Sequence, residues 1–69
     1  MDILEAFGKR LRERRVKMGD SQEKFAAKCK LDRTYISGIE RGKRNVSLRN
    51  IQVVADALNT SISELTKGL

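Results

Sequence analysis

The stretch SQEKFAAKCKLDRTYISGIERGKR, Ser21 to Arg44, divides into two short helices joined by a tight turn. Over Gln22–Cys29 the spacing puts Phe25, Ala26 and Cys29 on one face. Over Arg33–Arg41 it turns Ile36 and Ile39 inward and leaves Arg33, Thr34 and Ser37 outside, with Arg44 in the loop beyond. Between them, Lys30 is expected in a left-handed conformation where glycine would be easier, at roughly 1 kcal/mol. Leu31 should plug the core, and Asp32 should cap the second helix. Helices this short are marginal in water and need a scaffold. A helix, a short turn and a polar second helix ringed by Lys and Arg form the pattern that presents a helix to the major groove of DNA.

The flanking residues supply the scaffold. Upstream, Ile3, Leu4, Phe7, Leu11 and Met18 recur at helical spacing, so residues 3–18 read as one helix ending near Gly19. Arg15 falls on its buried face, and a charge there needs a partner. Glu40, next to the inward Ile39, is placed to reach it. Asp20 and Ser21 are alternative caps for the next helix. With Asp20 as cap, Glu23 completes a capping box. With Ser21, Gln22 opens the helix beside free N–H groups that favour a phosphate. Gly38 in mid-helix costs about 1 kcal/mol relative to Ala, and the expected reason is close approach of the preceding helix.

Downstream, Ser47 should cap a fourth helix running to about Leu58, with Ile51, Val54, Ala55 and Leu58 inward and Asn59 at its end. Ser61 to Glu64 is a second capping box, opening a short fifth helix through Leu65. Val53 falls off the inward face, and a body this small is not expected to hide both Ile62 and Leu65. These three are therefore candidates for a self-association surface. The expected fold is all-α: a compact five-helix domain over 1–69, with its helix-turn-helix at about 21–41 and a dimerisation region at about 47–69.

Composition agrees. Sixty-nine residues leave no room for a second core. Aromatic content of only 4% implies an aliphatic core with two Phe, favouring helices over a β-sandwich. The formal charge of +6 points to an acidic partner. Its distribution says more: residues 9–44 hold thirteen of the fifteen Lys and Arg against five acids, leaving +8, while residues 45–69 are neutral. The first half is expected to face phosphate and the second to face protein. No apolar run resembles a signal peptide or approaches the ~20 residues of a membrane span, so a reduced, cytoplasmic setting is the expectation. With no His, no paired carboxylates, no Gly-rich phosphate loop and no metal-ligand spacing, an enzyme reading has little support, and no metal, cofactor or small-molecule ligand is expected. The single Cys29 reads as a buried structural thiol.

A DNA-binding reading assigns work to the polar residues left over. Arg33 can fork onto guanine, the Thr34 methyl suits a thymine methyl, and Ser37 lies one turn on. Arg44 extends from the loop toward either groove. Gln22, Tyr35, Lys43 and Asn45 would hold phosphates and fix register. Any one of them alone is more simply an ordinary exposed side chain; the joint pattern is what carries weight.

The sequence also resembles the lambda-repressor-like (XRE) helix-turn-helix family. The marks are Gly19-x-Ser21-Gln22-Glu23-x-Phe25-Ala26, then Leu31-x-x-x-Tyr35-Ile36-Ser37-x-Ile39-Glu40-Arg41-Gly42. Ser47-Leu48, Ala55-x-Ala57-Leu58 and Ser61-x-Ser63-Glu64-Leu65 follow, so the likeness spans about residues 5–66. Asp32 to Arg41, with Arg44-Asn45, is similar to the controller proteins of restriction–modification systems. That resemblance implies a homodimeric transcription regulator on paired, near-palindromic operator sites, reading helices ~34 Å apart, with RNA polymerase as a further partner. It implies base reading by Arg33, Thr34 and Arg44, backbone contacts by Tyr35, Ser37, Gln22 and Asn45, and a buried Arg15–Glu40 ion pair. Departures from the family pattern stand at Asp20, usually apolar, at Lys30, commonly Gly or Asn, and at Thr60, commonly Val or Ile. Val53, often Lys in the family, adds to the case for a dimer surface. A phage or mobile-element repressor and an antitoxin-type autoregulator are close alternatives. An adaptor that binds protein without DNA is the rival of another class; a membrane-surface peptide is disfavoured for want of a broad apolar face.

Overall fold

Five helices follow one another without a strand: α1 Ile3–Met18, α2 Gln22–Cys29, α3 Arg33–Glu40, α4 Leu48–Ala57 and α5 Ile62–Leu65. The computed structural model describes residues 1–69. Each helix begins on a side chain that accepts from its first-turn N–H groups: Asp2, Ser21, Asp32, Ser47 and Ser61. Four of them end alike. A residue turns left-handed, directly after α1 and α2 and one position further on after α3 and α4, and the next N–H reaches back five residues to a carbonyl. Those left-handed positions are Gly19, Lys30, Gly42 and Asn59. The returning bonds are Asp20 to Arg15, Leu31 to Ala26, Lys43 to Gly38 and Thr60 to Ala55. Lys30, at φ 56°, holds the turn without the ease of glycine, as expected. α3 stops one residue earlier than the spacing predicts, with Arg41 as its cap.

The core gathers one stripe from each helix. Leu11, Phe25, Ile36, Ile39, Val54 and Leu65 are essentially inaccessible, and Phe7, Ala26, Cys29, Ala55 and Leu58 close around them. Leu31 packs against this cluster from its edge. α1 lies across the end of α3, and the approach is close: a Cβ on Gly8 would sit 2.1 Å from the Ile39 carbonyl oxygen. Gly42 is pressed likewise, since a Cβ there would come within 2.8 Å of Glu5 Cγ, and its φ is +73°. The short α5 is held to α1 by two guanidinium groups. Arg10 donates to the Leu65 carbonyl at 3.0 Å, and Arg14 to the Glu64 carbonyl and the Thr60 hydroxyl, each at 3.5 Å.

One open alternative is settled and two expectations are corrected. Ser21 caps α2, accepting from Lys24 N–H at 3.0 Å. Asp20 instead turns inward, 5% exposed, beneath Lys28 at 2.7 Å and Lys24 at 3.7 Å. Lys28 holds its carboxyl below the usual range against the opposing effect of burial. Gly38 does not make room for α2: what lies over it is the side chain of Arg44, whose Cγ would be 3.0 Å from an added Cβ. Leu65 is fully buried, so it belongs to the core and not to an association surface. Ile62 remains only partly covered, so the small body hides one of the two and not both.

Candidate nucleic-acid interface

The frame behind the reading helix is an ion pair. Arg15 Nε and Nη2 donate to the two Glu40 oxygens at 2.6 and 2.9 Å, and Nη1 donates to the Asp20 carbonyl at 2.8 Å. The side chains are 9% and 3% exposed. The Glu40 hydrogen bond raises the Arg15 pKa and outweighs desolvation, so the guanidinium stays charged inside. Gln22 Nε2 adds a third donor to Glu40 at 3.1 Å. One carboxylate thus fixes α1, the start of α2 and the end of α3. Gln22 is expected to touch phosphate, and with one amide N–H spent inside it retains a second N–H and its carbonyl for that purpose.

On the other side of α3, the first turn exposes Arg33 and Thr34. Asp32 Oδ1 accepts from the Thr34 N–H at 2.8 Å and from its hydroxyl at 2.7 Å. These bonds, the hydroxyl's first, lower the Asp32 pKa. The Thr34 hydroxyl proton is therefore occupied, and its methyl and the lone pairs of its oxygen remain to offer a base. Ser37 follows one turn later, partly covered.

The loop closed by Gly42 brings Lys43 and Arg44 back alongside the helix. The Arg44 guanidinium stands over the Tyr35 ring, 5.6 Å from its centre, a cation–π arrangement. The Tyr35 hydroxyl accepts from Asn50 Nδ2 of α4 at 3.0 Å, which leaves its own proton to donate outward. Arg33, Thr34, Ser37 and Arg44 are thus gathered around one helix, with Tyr35 and Lys43 beside them. Asn45 instead lines a largely apolar cleft of about 370 Å³ together with Ile3, Leu4, Phe7 and Val46. Asn50 was not legible in advance, because nothing in its local spacing distinguishes it from any polar residue on α4.

At the neutral end, Val53 and Ile62 pack partly against the core. Ile62 shares a shallow depression with Leu48, Arg49 and Gln52. Leu48 is 72% exposed, an apolar residue whose position in the first turn of α4 turns it away from the core. Cys29 is buried, and burial pushes its thiol up to about 11, which leaves it a packing residue and not a nucleophile.

This geometry, a reading helix braced from behind and fringed with cations, is that of a helix-turn-helix DNA-binding domain. The helix-turn-helix family model matches residues 11–65. The control protein C.MunI of Mycoplasma sp is 51% identical over 65 residues, which cover 93% of this chain and 88% of that one. The crystal structure of the restriction–modification controller protein C.AhdI from Aeromonas hydrophila is similar at a TM-score of 0.87 and 53% identity, covering 90% of this chain and 94% of that one. That of C.Esp1396I, a tetramer in complex with its natural 35 base-pair operator, gives 0.85 and 33%, covering 96% and 91%. The chain belongs to the helix-turn-helix family and, within it, to the restriction–modification controller proteins.

Proposed function

We propose that this protein is a sequence-specific transcriptional regulator that binds a near-palindromic operator as a homodimer and controls a restriction–modification operon. The observation that carries this reading is the grouping of Arg33, Thr34 and Arg44 on the solvent side of a helix whose other side is fixed by Arg15 and Glu40. Arg33 and Arg44 read guanine edges, the Thr34 methyl meets thymine, and Ser37 reaches a base or the backbone. Gln22, Tyr35, Lys43 and Asn45 hold phosphates. Val53 and Ile62, joined by Leu48, form the surface between subunits. A chain of this family in complex with its operator is a tetramer, which supports assembly beyond one subunit here as well. RNA polymerase as a further partner and a cytoplasmic site of action belong to the same reading.

The test is selection of duplexes from a randomised pool, followed by titration of the selected duplex across a series of salt concentrations. A palindromic preference is expected, with log K falling steeply and linearly against log salt. Binding that is indifferent to both sequence and salt would return the chain to the protein-binding adaptor reading.

A further inference from the structure

Arg44 is a long side chain on a loop, and such a group loses orientation unless something holds it. Two features of the free protein hold it. Its aliphatic stem occupies the place beside Gly38 where any other residue would project: an added Cβ would stand 3.0 Å from Cγ, 3.2 Å from Nε and 3.6 Å from Cδ. Its guanidinium lies on the Tyr35 ring, and that ring is tethered at its hydroxyl by Asn50 from α4. Gly38 also sits in mid-helix, where glycine is unfavourable for the helix itself. Its presence is therefore accounted for by what lies over it. The carbonyl of Gly38 adds a second tie, accepting from the Lys43 N–H at 2.9 Å and so fixing the loop immediately before Arg44.

We infer that Gly38 and Asn50 are positioning residues for Arg44. Gly38 provides the seat and Asn50 steadies the aromatic plate, so the guanidinium is oriented before DNA arrives. A pre-set arginine fixes which base edge it reaches, and its ordering is not charged against binding. The inference rests on the base-reading role given to Arg44 above, and touches neither Arg33 nor the dimer surface.

The chain has one tyrosine and no tryptophan, so the Tyr35 ring resonances are unambiguous in solution. In the free wild-type protein, nuclear Overhauser contacts between the Arg44 side chain and the Tyr35 ring are expected, and in Gly38→Ala they should be lost. On the duplex selected by the wild-type protein, Gly38→Ala should lose about tenfold in preference over duplexes altered at the position Arg44 reads. Its melting temperature should be unchanged or higher, because Ala favours the helix. Asn50→Ala should show a smaller loss at the same position. In an Arg44→Ala background both substitutions should have no further effect on discrimination, as the double-mutant cycle requires of a residue acting through Arg44. Wild-type discrimination by Gly38→Ala, or a penalty that adds in full to that of Arg44→Ala, would overturn the assignment. If Arg44→Ala itself discriminates like wild type, the base-reading role falls and this inference with it. The Overhauser contacts then tell whether the seat exists without that use.

Discussion

Arg15 and Glu40 meet end-on, two nitrogens to two oxygens at 2.6 and 2.9 Å, although 25 residues separate them in the chain. Burying an ion pair contributes little net stability, but removing one partner strands the other. Glu40→Ala is expected to destabilise the domain by about 3–5 kcal/mol, most of what a protein this size possesses. Urea unfolding followed by circular dichroism measures it; a midpoint within experimental error of wild type would mean that water solvates Arg15.

Gly8 gives the opposite of the usual expectation for an alanine in a helix. Alanine ordinarily favours the helix by close to 1 kcal/mol over glycine. Here its Cβ would meet the Ile39 carbonyl oxygen at 2.1 Å, and backbone cannot swing aside as a side chain does. Gly8→Ala should lower stability by about 1–3 kcal/mol as α1 is forced off α3. Thermal melts of Gly8→Ala and Gly38→Ala side by side provide the check, since only the first should fall.

Arg33 and Lys43 should part company on mixed sequences. Arg33→Ala is expected to cost about 1–3 kcal/mol at one base position and to relax choice there, whereas Lys43→Ala should weaken every duplex alike and reduce the salt slope by about one. Equal losses on all sequences from both variants would remove Arg33 from the base readers.

Val53 tests the neutral end. A charge there, as in Val53→Glu, should shift sedimentation toward the monomer while leaving the circular dichroism spectrum intact, because Val53 is only partly buried. An unaltered mass would place the subunit contact elsewhere, with Leu48 and Ile62 as the next positions to change.

Cys29 sets a pH dependence at the alkaline end. Its thiol is raised from 9.0 to about 11 by burial, so the unfolded chain ionises first as pH rises. The contribution is complete below pH 9 and is lost as pH climbs toward 11, by roughly 2 kcal/mol. Denaturant midpoints measured between pH 7 and 11 should fall more steeply for wild type than for Cys29→Ala. Parallel curves would show the thiol ionising as freely folded as unfolded.

Much of this was legible in the residues because the relevant signals are local. Serine or aspartate stands before each helix, Gly19 and Asn59 stand after two of them, and the apolar spacing orients every stripe. Arg15 announced a buried charge by its place on an apolar face, and Glu40 was the acid within reach. What stayed hidden depends on contacts between elements. Asp20 and Ser21 are adjacent cap-formers, and only the three-dimensional placement of Arg15, Lys24 and Lys28 around Asp20 shows which turns inward. The reason for Gly38 lies six residues away in a loop whose path no periodicity fixes. Leu65 and Ile62 looked equivalent because sequence gives the apolar supply but not the room available. Asn50 finds Tyr35 only once α4 is in place.

The clasp of Arg10 and Arg14 onto the α5 carbonyls bears on how the charge of this molecule should be counted. Of the six Lys and Arg along α1, three—Arg10, Arg14 and Arg15—are committed to groups of the protein itself. Asp20 engages Lys24 and Lys28 in the same way. The long-range field that draws a polyanion inward still reflects the full +6. The number of ions expelled from the duplex on docking will be smaller than a tally of basic residues implies, for five of those cations already lean on groups of their own chain.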